Sequence, residues 1–122
     1  LAKLHMDTLD YDNAIIQLEF VMDNASDESF KHIARLRIAR IMVEQNQLDQ
    51  ALLLLDSVSM IPDAYSPYYQ SVKGDIYTSQ GQLDKAKSAY STALESLEPG
   101  NFDFDFIKMK SDQIQVNPTD NS

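Results

Sequence analysis

The 122 residues suffice for one domain, and 43% hydrophobic with 24% charged residues is the mix of a globular chain. The chain has no cysteine, which excludes disulfide scaffolds, thiolate nucleophiles and cysteine-bearing zinc sites. Ten basic residues against nineteen acidic ones leave a net charge of −9. That argues against sequence-independent nucleic-acid binding, whose affinity comes mainly from cation–phosphate contacts.

The charge is uneven. Residues 1–30 hold Lys3 against seven acids, whereas residues 31–60 hold Lys31, Arg35, Arg37 and Arg40 against Glu44, Asp49 and Asp56. The middle is the only basic island. The longest unbroken apolar run, Ala51-Leu52-Leu53-Leu54-Leu55, falls far short of the roughly 20 residues that span a bilayer. Leu1 sits inside a helical pattern, so the sequence reads as a fragment of something longer.

The chain repeats itself. Gln45-Asn46-Gln47-Leu48-Asp49-Gln50-Ala51 matches Gln80-Gly81-Gln82-Leu83-Asp84-Lys85-Ala86 at an offset of 35, and Leu9-Asp10-Tyr11-Asp12-Asn13-Ala14 is a weaker third copy. Periods of this length mark stacked supersecondary units, and each copy reads as a turn between two helical patterns. In chain order, the first unit occupies about 1–25 with its leading helix cut short, and Asp10-Tyr11-Asp12 reads as helix-start chemistry. The second unit occupies about 28–61. Asp27 and Glu28 oppose the positive end of its first helix, whose apolar stripe is Phe30, Ile33, Ala34, Ile38, Ile41 and Met42. Leu36 and Val43 lie off that stripe, as expected for a helix flanked on two sides. After the turn, Leu48, Ala51, Leu52, Leu55 and Val58 form a second stripe, ended by Ile61-Pro62.

The third unit occupies about 66–99. It opens at Ser66-Pro67, a cap residue followed by proline at the first helical position. Val72, Ile76 and Tyr77 precede the turn at Gly81, and Leu83, Ala86, Ala89, Tyr90, Ala93, Leu94 and Leu97 follow it. A capping helix over 102–113 carries Phe102, Phe106, Met109 and Gln113, and residues 114–122 read as a flexible tail beyond a domain spanning 1–113.

Gly74-x-x-Tyr77, Gly81, Ala86-x-x-x-Tyr90, Ala93 and Pro99 resemble the tetratricopeptide repeat, a helix–turn–helix unit of about 34 residues. Small residues at Gly74 and Ala86 let paired helices approach, while Tyr77 and Tyr90 fill the gaps. The middle unit departs from the pattern, with Ala39, Met42, Asn46, Ala51, Leu55 and Val58 at the matching places. The repeat's tryptophan is replaced by Arg35 and Gln70. The resemblance implies an all-α, tetratricopeptide-like, right-handed stack of helical hairpins with a C-terminal capping helix.

A narrower resemblance rests on Leu36-Arg37-Ile38-Ala39-Arg40, the degenerate tandem and a closing helix with Lys108-Met109-Lys110. These are similar to the YfgM family, ancillary subunits of the bacterial Sec translocon. That resemblance implies a single-pass inner-membrane protein whose anchor lies outside this chain, with this domain in the periplasm. It implies the Sec translocon and a PpiD-type periplasmic chaperone as partners, and emerging polypeptides as cargo. The alternative is a soluble cytosolic tetratricopeptide scaffold that assembles other proteins.

No constellation for chemistry stands out. His5 and His32 lie on different units and read as surface or boundary imidazoles, and three glycines build no phosphate loop. Asn101, Asp103, Asp105 and Asp112 imitate a calcium loop, but Phe106 occupies the position where its sharp turn needs glycine. Phe102, Phe104 and Phe106 read instead as an apolar lid on the last repeat, and Tyr65, Tyr68 and Tyr69 as packing at a junction between units. The chain is expected to be no enzyme and to hold no metal or cofactor. What remains is surface: leading helices of such stacks line a concave protein-binding face. By the family's register, that groove comprises Ile33, Leu36, Arg37, Arg40 and Glu44, then Tyr68, Val72 and Asp75, with Arg37 and Arg40 able to grip carboxylates or backbone carbonyls.

Overall fold

The computed structural model describes residues 2–114, with side chains from residue 10 onward. Among them are six α-helices and no strand: α1 (Ala2–Asn24), α2 (Glu28–Glu44), α3 (Leu48–Asp56), α4 (Ser66–Ser79), α5 (Leu83–Glu95) and α6 (Phe102–Asp112). The chain forms two compact units, residues 1–59 and residues 60–122.

The repeated sequence folds as one repeated device. After α2, Asn46 takes φ 61°, its amide donating to the Val43 carbonyl (3.0 Å) and the Gln47 amide to that of Met42 (2.8 Å). After α4, Gly81 takes φ 77°, its amide donating to Thr78 (3.1 Å) and the Gln82 amide to Tyr77 (2.9 Å). Both are Schellman turns, which satisfy the last helical carbonyls and reverse the chain. Glycine and asparagine are the residues that enter the left-handed region at least cost.

The third copy does not turn. Leu9 stands where Asn46 stands in the second, and a leucine at positive φ is disfavoured, so α1 runs unbroken through 9–14. Asp10, Tyr11 and Asp12 are therefore mid-helix rather than at a helix start. The first unit is one long helix where a short hairpin was expected.

In the first compact unit α2 packs against both α1 and α3. This explains its two apolar sides: Ala34, Leu36, Ile38 and Ala39 are buried, as are Ala51 and Leu55 of α3. Phe30 and Ile33, at the outer end of the expected stripe, stay exposed. Asp27 caps α2 by accepting from the Ser29 amide (2.8 Å). Helix α3 ends at Asp56, so Val58 lies beyond it.

In the second compact unit α4 and α5 form the most extensive helix pair, and α6 closes on α5. Pro67 sits in the first turn of α4, and Tyr65, rather than Ser66, occupies the cap position. Ala86, Tyr90 and Ala93 of α5 bury against Ile107 of α6, flanked by Tyr77, Leu94, Leu97 and Ile114. Ile114, expected in the tail, thus belongs to the packed unit; residues 115–122 lie outside the described residues. Gly74 lies against the Tyr90 ring so closely that a Cβ there would overlap three ring atoms.

Because the Tyr90 ring is buried, an added methyl group has nowhere to displace it. Gly74→Ala should destabilise the protein by about 1–3 kcal/mol, and Ala86→Leu, at a fully buried position, by a similar amount. Urea denaturation followed by circular dichroism measures both; unchanged midpoints would mean that α4 and α5 are not in close contact.

Candidate functional site

The expected binding residues are placed unevenly. On α2, Arg37, Arg40 and Glu44 are exposed and Ile33 is 38% exposed, whereas Leu36 is buried and contributes packing. On α4, Val72 has no exposed surface, which removes it from any docking face. Tyr68 is half-buried, its hydroxyl donating to Asp103 Oδ2 of α6 at 2.7 Å. That hydrogen bond, with burial, raises the Tyr68 pKa above its ordinary value.

Asp75 has a different task from the one its register suggests. It accepts from the Tyr90 hydroxyl of α5 (2.5 Å) and from Lys110 Nζ of α6 (2.9 and 3.1 Å). One carboxylate thereby joins three helices. Burial, then the bond to Asp75, raises the Tyr90 pKa far above the usual range, so this phenol is a hydrogen-bond donor and no proton carrier near neutrality. Lys110 also lies 4.8 Å from the Phe106 ring centroid and 5.7 Å from that of Tyr90. A pocket of about 570 Å³ opens over this network, lined also by Thr78, Leu83, Gln113 and Ile114.

Two of the three aromatics expected to form a lid are turned the other way, while Phe104 is only partly exposed. Ile107 and Ser111 form the buried side of α6, while Phe102 and Phe106 stack on each other in solvent at 6.2 Å. The polar ties fix this rotation: Tyr68 to Asp103, Lys110 to Asp75, and Lys87 Nζ to the Ser111 carbonyl at 3.0 Å. Asn101 is the α6 cap, accepting from the Asp103 amide at 2.7 Å, so the calcium-like spacing serves helix initiation and helix docking. Among the described residues, no group of three or more acidic, histidine or cysteine side chains is placed to hold a metal ion.

The feature that suits a partner is in the first unit. Helix α1 contributes Ala14, Leu18 and Val21, at i, i+4 and i+7, and α2 contributes Ile41 to an apolar groove of about 560 Å³. Arg37, Arg40 and Gln17 complete its lining. Sequence reasoning placed the arginines on a binding face but confined that face to leading helices, and so missed Ala14, Leu18 and Val21, which follow the turn that was expected at 9–14 and does not form. On the far side of α2, His32 is buried and its Nδ1 lies 3.5 Å from Arg35 Nη1. Burial, then the Arg35 charge, lowers the His32 pKa from 6.5. The side chain of His5 lies outside the described residues.

The model of the tetratricopeptide repeat-like domain family matches residues 1–116. The chain belongs to that family. It is also similar to curated proteins named ancillary SecYEG translocon subunit. The one from Neisseria gonorrhoeae is 27% identical over 93% of this chain and 54% of its own length. That of Buchnera aphidicola subsp. Schizaphis graminum is 28% identical over 94% of this chain and 58% of its own length, and that of Escherichia coli K12 29% over 79% and 46%. The chain thus spans about half the length of the curated relatives it matches. No solved structure matches it. Among the described residues no helix is long and apolar enough to cross a membrane.

Lys110→Met keeps the stem but strands the half-buried Asp75 carboxylate with Tyr90 alone. The loss should be about 1–2 kcal/mol in urea denaturation, below the roughly 3–5 of a fully buried pair. An unchanged midpoint would mean that α6 docks without this ion pair. For His32, the lowered folded pKa means that the unfolded chain takes up the proton first as pH falls through 6.5. Stability relative to a His32→Gln variant should therefore decline as pH falls through 6.5, and a constant difference would contradict the burial of a neutral imidazole.

Proposed function

We propose that this chain is the protein-binding part of an ancillary Sec translocon subunit, lying in the periplasm and linking translocated polypeptides to periplasmic chaperones. The observation that carries the reading is the match to relatives of that name over more than nine-tenths of this chain, across both compact units. In this reading an anchor outside these residues holds the domain at the inner membrane. The translocon and a PpiD-type chaperone are its partners, and it works by binding, with no reaction of its own. The α1–α2 groove supports the reading with a surface suited to polypeptide: apolar along its length and cationic at one side.

Photo-crosslinking from Gln17 and Glu44 in intact cells making the full-length protein tests it. Adducts with translocon subunits and with a membrane-anchored periplasmic chaperone are expected. The domain should become protease-accessible once the outer membrane is opened, with the inner membrane intact. Adducts confined to cytosolic proteins, with protection from protease in spheroplasts, would replace the proposal with a cytosolic scaffold.

A further inference from the structure

The groove between α1 and α2 carries a charge arrangement that specifies its occupant. We propose that it takes an acidic amphipathic protein segment, whose apolar side chains lie along Leu18, Val21 and Ile41 while its carboxylates meet Arg37 and Arg40. This deepens the proposed function by naming the chemistry of what the groove binds, and it rests on that reading for its biological setting only.

Three observations lead there. Arg37 and Arg40 are exposed, line the groove together, and have no carboxylate partner among the described residues. Glu44 stands one turn beyond Arg40 on the same helix, yet no ion pair forms between them, whereas Lys31 does reach Glu28 within α2. Second, these guanidinium groups belong to the only basic stretch of a chain with net charge −9. Two adjacent planar forks left open in an acidic protein are matched by carboxylates, which they bind bidentately. Third, the lining beside them is Ala14, Leu18 and Val21 on one helix side, the spacing that meets a partner helix presenting its own apolar residues at i, i+4 and i+7.

Other anionic partners fit less well. Recruitment to an anionic membrane takes clusters of about four to eight basic residues, and here two stand against a repulsive net charge. The same imbalance disfavours nucleic acid. A free small carboxylate would leave the apolar length of the groove uncovered.

The test uses the purified chain and a fluorescent synthetic helix of about 14 residues, with leucines at i, i+4 and i+7 flanked by glutamates. Fluorescence anisotropy should show saturable binding that weakens as salt rises. Replacing the peptide's glutamates by glutamine, or making Arg37→Gln with Arg40→Gln in the protein, should each weaken binding about tenfold or more. Both arginines are exposed, so circular dichroism should be unchanged in the variant. In the reversed pair, Arg37→Glu with Arg40→Glu, the same helix carrying lysines in place of glutamates should bind better than the acidic one.

Equal affinity for acidic and neutral peptides, no effect of the arginine variants, or no binding of the acidic helix would overturn the inference. So would binding of phosphatidylglycerol vesicles in preference to the peptide. Translocon adducts that persist undiminished in the glutamine variant would remove the groove from that contact and leave the proposed function standing. Loss of all translocon adducts from the wild type, with peptide binding intact, would do the reverse.

Discussion

The second compact unit depends on how closely α4 approaches α5, and that approach depends on Gly74 having no side chain. The Tyr90 ring lies in the space that any Cβ at position 74 would need. Once seated there, the ring brings its hydroxyl to Asp75, the next residue along α4. Asp75 is thereby fixed where Lys110 of α6 reaches it. A steric fact about one glycine thus becomes a polar junction of three helices. An apolar contact alone would leave α6 freer to rotate, because hydrophobic burial is non-directional. The charged and hydroxyl contacts give it an orientation.

Lys110 in one unit and the Arg37 and Arg40 pair in the other are used in opposite ways. Lys110 is half-buried, paired with Asp75 and laid over aromatic rings, so its charge is spent inside the unit. Arg37 and Arg40 are exposed beside an apolar groove, with no carboxylate partner among the described residues. Surface ion pairs contribute little to stability, so a fold loses little by leaving such groups open. Charge left open next to apolar surface is better placed for recognition than for folding, since it adds selectivity that apolar contact lacks.

What could be read from the sequence follows from how local its cause is. The two Schellman turns were legible because positive φ restricts residue type, and Asn46 and Gly81 announce it. Asp27 was placed at the start of α2 by its charge against the helix dipole, a cause confined to one turn, and it proves to be the cap. Asn101 was read only within a calcium-like spacing, yet it caps α6 in the same way. The same rule, applied to Leu9, argues against a turn, and the weak likeness of 9–14 to the other copies obscured it. The rotation of α6 was not legible. Phe102, Phe106 and Met109 are its most hydrophobic stripe, yet the contacts that orient the helix come from Tyr68, Asp75 and Lys87, which lie 24 to 35 residues away in the chain. Periodicity reports which stripes a helix has; partners distant in sequence decide which one is buried. For the same reason Val72 and Asp75 read as groove residues from register alone, although one is core and the other a tie between helices.

A groove of about 560 Å³ admits a few side chains and no large interface. In the proposed setting that size is suited to the task. A polypeptide handed onward must be released, and differences in affinity between related complexes lie mostly in the dissociation rate. A short apolar floor with two guanidinium contacts offers selection by charge at modest affinity, so capture and release are both fast. Deepening the groove would strengthen the grip, and a longer-held segment would reach its next partner more slowly. The open arginines then matter most at the encounter, where a local positive site on an acidic surface favours segments that carry carboxylates beside their apolar residues.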